Sequence, residues 1–168
     1  MYTVKNWQNF ALAQDSSKTC WLTCYQMLYK WRGINSDGLD KIVENAGIKM
    51  FDDDENGAME TGLKAKDYVT ANSALGLQSL KGGELDSTEL EYMLEKKGPI
   101  WATMKFGAGN HNIVVFGGGD DQVKYINPLW EVEKKYYVVE GKLSQLNLAL
   151  KHFNNWKGAN ACFPGVID

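Results

Sequence analysis

The densest run of hydrophobic positions, residues 21–31, predicts a helix that is buried on nearly every side. Its apolar members fall on all faces of a helix: Trp21, Leu22, Cys24, Tyr25, Met27, Leu28, Tyr29 and Trp31. A helix that is hydrophobic all round is enclosed by the rest of its domain. Preferred N-cap residues precede the run, and Arg32-Gly33 ends it. We therefore predict a central helix over residues 19–31.

Further helices are predicted from apolar spacing and cap residues. Their ranges are 39–46, 59–72, 86–97 and 143–153. Ser36 is placed to cap the first of them, and Asp86-Ser87-Thr88-Glu89 has the form of a capping box. The acidic segment 51–57 lacks the ligand spacing of a calcium loop, so we predict a solvated loop there.

The pattern changes to strands after Gly98. The predicted strands are 99–106, 113–116, 122–126 and 134–139, and the tail 159–168 is able to return to the sheet. Helices followed by antiparallel strands are typical of an α+β fold in two layers. We predict one domain over residues 1–168, with the central N-terminal helix packed on a C-terminal antiparallel sheet.

Composition narrows the function classes. The chain has 168 residues, a net charge of −3 and no basic stripe, so we expect no nucleic-acid partner. No apolar run approaches a membrane span, and the first residues lack the hydrophobic region of a signal peptide. We therefore expect a protein of the producer's cytoplasm, or one delivered into a target cell. The chain has three cysteines and two histidines, and their spacings do not match those of a zinc site. We therefore expect no disulfide framework, no bound metal and no cofactor.

Cys20 is the candidate nucleophile. It opens the central helix, where the backbone dipole lowers a thiol pKa and increases the reactive thiolate fraction. Gln14, separated from Cys20 by five residues, is able to turn back and donate to a developing oxyanion. The alternative is a buried cysteine that serves only as a small hydrophobe.

A predicted hairpin brings in a base and its orienting group. If the turn is symmetric about Gly119, His111 lies directly opposite Asn127, where the amide can hold one ring nitrogen and leave the other free. A one-residue bulge would change this register. The roles would then be nucleophile for Cys20, base for His111, orienter for Asn127, and oxyanion donors for Gln14 and the Cys20 backbone N–H. The alternatives are a surface histidine and a strand-ending Asn-Pro turn.

Other thiols and imidazoles fit these roles less well. Cys24 is one turn further along the helix, and we expect Cys162 to be buried in the core. His152 lies near a helix end, where its positive charge suits the dipole, and no orienting residue follows it.

These segments resemble the papain-like cysteine peptidases. The similarity is carried by Gln14-x5-Cys20-Trp21, by Gly109-Asn110-His111 before a strand and by Tyr125-Ile126-Asn127-Pro128 at the end of the next. It extends to about Trp130, which is placed to shield the His–Asn pair or to pack in the core. The short hairpin is most similar to the small bacterial branches: leader peptidase domains of bacteriocin exporters, and peptidase effectors that bacteria deliver into other cells. Those branches commonly carry Asp where this chain has Asn127, whereas papain uses Asn.

The resemblance implies an endopeptidase acting on protein substrates, plausibly a toxin or effector domain. The same chemistry would also serve a leader peptidase, a cell-wall amidase, a deamidase or a transglutaminase, and an inactive peptidase fold would serve only for binding. The exporter peptidases cut after paired glycines, which implies small residues beside the scissile bond. Because only 13 residues precede Gln14, we also expect a separate inhibitor, such as an immunity protein, to cover the cleft.

Overall fold

The computed structural model describes residues 1–129 and 135–165. Within them the α-helices are α1 (Cys20–Arg32), α2 (Leu39–Asn45), α3 (Ala58–Thr61), α4 (Tyr68–Ala74), α5 (Ser87–Lys97) and α6 (Leu143–Leu150). The strands are β1 (Tyr2–Thr3), β2 (Gln78–Lys81), β3 (Ile100–Phe106), β4 (Gly109–Gly119), β5 (Gln122–Asn127), β6 (Tyr137–Lys142) and β7 (Lys157–Cys162). The predicted α+β class is confirmed.

The strands form one antiparallel sheet in the order β2-β7-β3-β4-β5-β6, and β1 pairs with the far end of β4. The tail returns to the sheet as predicted, since β7 lies between β2 and β3. The strand β2 was not predicted from the sequence; it has four residues and is exposed at both ends. It is short and lacks a clear alternation of apolar and polar residues.

The central helix α1 is fixed to the sheet by aromatic side chains whose polar atoms are all paired. The Tyr25 ring stacks on Trp101 of β3 with centroids 4.7 Å apart. The Trp101 indole N–H donates to the Trp21 carbonyl at 3.1 Å, and the Trp21 indole N–H donates to the Ala58 carbonyl at 3.1 Å. The Tyr25 hydroxyl donates to Asn72 at 2.6 Å. These bonds satisfy the buried donors and set where the first turn of α1 lies.

Several predicted boundaries are wrong for local reasons. The long helix over 59–72 is broken by Gly62, which has a φ of 89°, into α3, a 3₁₀ turn and α4. The N-cap of α2 is Gly38 rather than Ser36. Asp86 does cap α5, accepting from the Thr88 and Glu89 N–H groups at 3.0 Å each.

The two faces of the sheet carry different helices. Trp101 and Ser79 point toward α1 and α4 on one face, where Asn72 of α4 donates to Ser79. Gly118 faces α5 on the other side, because a Cβ built there would meet Leu90. Within the described ranges, no helix combines the length and apolar character needed to cross a membrane.

Candidate active site

The Cys20 thiol lies at the start of α1 and against the start of β4. Thr19 is the N-cap residue, and its side chain makes no capping hydrogen bond, so the first amides of the helix are not covered by it. Cys20 is 6% exposed, and its thiol donates to the Asn112 side-chain oxygen at 3.7 Å. Asn112 directly follows His111, which brings the thiol to the strand that carries the candidate base.

His111 and Asn127 are joined as predicted, although not by the predicted register. The His111 Nε2 and the Asn127 Oδ1 lie 2.6 Å apart. The same oxygen accepts from the Leu129 backbone N–H at 3.1 Å. Because that N–H needs an acceptor, the amide oxygen must face it, and Nε2 must then carry the proton. The neutral ring therefore leaves Nδ1 free to accept a proton.

A β-bulge puts Asn127 on the same face as His111. The turn is Asp120-Asp121, two residues with φ of 53° and 56°, and Gly119 pairs with Gln122 rather than forming the centre. The register then shifts between Val115 and Gly117. Val114 pairs with Ile126, so the next pair along the two strands is Ile113 with Asn127. Asn127 is therefore diagonal to His111, which lies two residues before Ile113. Without the shift, the two side chains would point to opposite faces.

Gln14 lies close to the end of β5, and its side-chain amide already donates one hydrogen bond. Its backbone N–H donates to the Pro128 carbonyl at 2.9 Å, so this segment lies beside the end of β5. The side chain is 2% exposed, and its Nε2 donates to the Ser16 carbonyl at 2.6 Å. An amide nitrogen carries two hydrogens, so one N–H is left for another acceptor. The buried Oε1 has no partner in the described chain.

Burial is the largest influence on the pKa values of the thiol and the imidazole. Burial raises the pKa of Cys20, while the backbone N–H groups of Asn112, Trp21 and Cys20 and the charge of Lys18 lower it. The sequence predicted that the helix terminus lowers this pKa, and that expectation is wrong in net direction because desolvation is the larger effect. Burial lowers the pKa of His111, and the hydrogen bond that His111 donates to the Asn127 side-chain oxygen partly offsets this. Both shifts favour a neutral thiol and a neutral ring.

The thiol and the ring are not hydrogen-bonded to each other within the described chain. Neighbouring residues of a strand alternate between faces, and it is Asn112 whose side chain meets the thiol. The His111 ring packs against Phe106, with centroids 5.2 Å apart. Catalytic hydrogen bonds are often long in free enzymes and tighten when substrate binds.

A comparison with known families shows which family the chain belongs to. The profile of the family described as papain-like cysteine protease AvrRpt2 matches residues 4–141. The chain belongs to this family of papain-like cysteine proteases. The protease also resembles the crystal structure of the peptidase domain of Streptococcus ComA, a bi-functional ABC transporter involved in quorum sensing. The two share 17% identity and a TM-score of 0.54 over 90% of this chain and 94% of that one, a likeness that supports the papain-like fold. No curated protein matches the sequence significantly.

The competing residues lie away from this arrangement. Cys24 and Cys162 are fully buried, and burial raises both of their pKa values. His152 lies on the exposed surface, in a 3₁₀ turn after α6. No group of three or more His, Cys, Asp or Glu side chains in the described residues is placed to hold a metal ion. Trp130, predicted to shield the His–Asn pair, lies outside the described residues.

Sequence reasoning missed Asn112, the residue whose side chain contacts the thiol of the protease. The available signal was a polar residue directly before the apolar run Ile113–Phe116, at a position that alternation places on the opposite side from His111. Its partner Thr103 is likewise a buried polar residue inside an apolar strand. Both residues are visible in the sequence as polar positions in apolar strands, but the contact of Asn112 with Cys20 depends on how α1 packs against the sheet.

Proposed function

We propose that this protease is a cysteine endopeptidase in which Cys20 is the nucleophile, His111 the base and Asn127 the group that orients it. The Asn127 oxygen carries the proposal, because its bonds to the Leu129 N–H and to His111 Nε2 leave Nδ1 as the proton acceptor. That is the ring form a thiol needs beside it in order to be deprotonated during attack.

The rest of the site supports the stabilisation of negative charge. The backbone N–H groups of Cys20 and Trp21 already lower the pKa of the thiol, and the Thr19 side chain does not cap them. The second N–H of the Gln14 amide is the other proposed donor to the oxyanion. Loss of one such donor typically costs about 10²–10³-fold in rate.

The first test compares each proposed residue with a matched alternative in the same chain. Cys20→Ala and His111→Ala should abolish or severely reduce digestion of a casein mixture, whereas Cys24→Ala and His152→Ala should keep it, provided each variant gives a folded circular dichroism spectrum. Iodoacetamide should label Cys20 faster than Cys24 or Cys162. If His152→Ala were as damaging as His111→Ala, the assignment of the base would be wrong.

Substrate tests separate peptide-bond cleavage from the related cysteine chemistries. Family membership favours a protease over an amidase, deamidase or transglutaminase. Casein and purified peptidoglycan should therefore be digested in parallel, and only casein should be cleaved. A peptide library would then separate a general endopeptidase from a leader peptidase. Cleavage confined to sites after paired glycines would indicate the leader peptidase.

We further propose that the protease is a bacterial effector that acts on a protein in a recipient cell and is restrained by a separate inhibitor. The support is its resemblance to peptidase effectors. Wild type and Cys20→Ala should be expressed in a naive bacterial cytoplasm, each with and without the product of the adjacent gene. Toxicity that requires Cys20 and is relieved by the neighbour is expected. Harmless expression of the wild type alone would contradict the inhibitor proposal.

A further inference from the structure

The hydrogen bond between His111 and Asn127 controls the direction of the imidazole ring more than its rotation. The His111 Nε2 lies 2.6 Å from the Asn127 Oδ1, which fixes where the ring points. Nε2 is far from Cβ and lies near the axis of the Cβ–Cγ bond, so a contact at this atom opposes rotation about that axis only weakly. The χ2 torsion of histidine has broad energy wells, and the side chain alone does not set the ring plane. A further contact is needed to keep Nδ1 in one place.

Phe106 supplies a contact at the side of the ring. In the pairing of β3 with β4, Met104 lies opposite His111 and Phe106 lies opposite Gly109. Phe106 is therefore diagonal to His111 on the same face of the sheet, at a separation that an aromatic side chain can span. The two ring centroids are 5.2 Å apart, and the ring planes are inclined by 39°. A bulky flat group at this distance restricts the rotation that the bond to Asn127 leaves open.

The hairpin between β3 and β4 brings Phe106 to this place. Its two turn residues are Gly107 and Ala108, and Gly107 has a φ of 59°, a conformation that favours glycine. This tight turn keeps the strands paired up to Phe106, the last residue of β3. Phe106 is 49% exposed, and within the described chain its aromatic partner is His111. A half-exposed side chain at a hairpin tip adds little to the core, so its contact with the base is the feature to explain.

We propose that Phe106 is a positioning residue that sets the plane of the His111 ring and so holds Nδ1 where it takes the proton of the Cys20 thiol. This inference rests on the proposed role of His111 as the base. Asn127 fixes the tautomer and the direction of the ring, and Phe106 fixes its rotation. The protease thus holds its base by two contacts of different kinds, one polar and one apolar.

Phe106 also shields the ring from water. His111 is 6% exposed, and burial is the largest influence on its pKa, followed by the bond to Asn127. No charged group of the described chain is among the causes of the shift. Removal of the Phe106 ring should therefore let water reach the imidazole and raise its pKa toward 6.5, because the charged form is then better solvated.

Nuclear magnetic resonance of His111 tests both effects without turnover. The Cys20→Ala protein is the reference, because it lacks the thiol whose titration is coupled to that of the ring. In this background, Phe106→Ala should lower the order parameter of the His111 ring and raise the pKa of His111 toward 6.5. Phe106→Tyr keeps a flat ring and should retain both reference values. An unchanged ring order parameter in Phe106→Ala would overturn the proposal.

Steady-state kinetics test the consequence for the reaction. Phe106→Ala should lower kcat/KM at pH 7 by about tenfold, less than the roughly 10²–10⁴-fold contribution of a base, because Nδ1 is present but no longer held. Phe106→Tyr should stay within about threefold of wild type. The matched control is Phe51→Ala, which removes another exposed phenylalanine, 69% exposed, and should leave kcat/KM unchanged. Equal losses in Phe51→Ala and Phe106→Ala would contradict the positioning role.

These readouts separate this inference from the proposed function. Each variant should give a folded circular dichroism spectrum, and if Phe106→Ala does not fold, Phe106→Leu replaces it, since leucine keeps the apolar bulk without the flat ring. Unchanged ring order and unchanged kcat/KM would reject the role of Phe106 while Cys20→Ala and His111→Ala still abolished proteolysis. Continued proteolysis by Cys20→Ala or His111→Ala would instead reject the function.

Discussion

At the level of single residues, the Asn127 oxygen fixes the His111 ring, while the ring itself would perform the proton transfer. His111→Ala should therefore lower kcat/KM by about 10²–10⁴-fold, the usual contribution of an acid–base group. Asn127→Ala should cost less, because the proton acceptor is still present and only its orientation is loosened. Steady-state kinetics on one peptide substrate would check the order. A larger loss for Asn127→Ala than for His111→Ala would contradict these roles.

The pH profile gives an independent measure of the same pair. Burial lowers the pKa of His111 below its usual 6.5, so the neutral base should persist and activity should fall only at more acidic pH. Asn127→Asp keeps an oxygen for Nε2 and Leu129 and adds a negative charge, which favours the imidazolium. The acid limb of kcat/KM should therefore move to higher pH in Asn127→Asp. An unmoved limb would mean that His111 is not the group that titrates.

At the level of secondary structure, helix α5 is able to approach the sheet closely because Gly118 has no side chain. A Cβ there would lie 2.3 Å from Leu90 Cδ2. Gly118→Ala should lower the free energy of unfolding by about 1–3 kcal/mol, as is usual for overpacking. Urea denaturation would measure this. The matched control is Gly141→Ala, where a Cβ meets nothing within 4 Å. Comparable losses in both variants would show that strand flexibility, rather than packing, is responsible.

The helix and strand types were predictable because the apolar periodicity that encodes them is local. The buried run that forms α1, the capping residue Asp86 of α5 and the return of β7 all carried such signals. The hairpin register was not predictable from the same pattern. It depends on a two-residue turn at Asp120-Asp121 and on the bulge at Phe116, whose ring stacks on Trp7 at 4.8 Å. That stacking partner comes from the first residues of the chain and gives no signal in the hairpin sequence.

The contact between His111 and Asn127 was predictable from the sequence, whereas the direction of the Cys20 pKa shift was not. The pairing of two predicted strands placed His111 beside Asn127. The turn centre was predicted at the wrong residue and the bulge was not predicted. These two errors offset each other, so both side chains still lie on the same face of the sheet. The net direction of the Cys20 pKa shift could not be predicted from the sequence. It is set by burial of the thiol, and burial depends on elements far along the chain that meet only in the folded state.

At the level of the whole molecule, buried titratable groups bound the pH range in which the fold is most stable. On the acidic side, the folded pKa of His111 lies below 6.5, so the unfolded chain binds more protons as pH falls through that value. The contribution of His111 to stability is therefore full above pH 6.5 and is lost below it. His111→Gln should reduce this acidic loss.

On the alkaline side, the sign is reversed, because burial favours the neutral forms of acids. Burial raises the pKa of Cys24 well above 9.0, of Cys162 to about 11 and of Tyr68 to about 12. The unfolded chain loses these protons first, so stability should fall as pH rises above 9. The urea midpoint should therefore be highest between about pH 6.5 and 9. Cys24→Ala creates a cavity and lowers the midpoint throughout, yet it should flatten the decline above pH 9 relative to wild type. A decline of unchanged steepness in that variant would show that Cys24 does not limit alkaline stability.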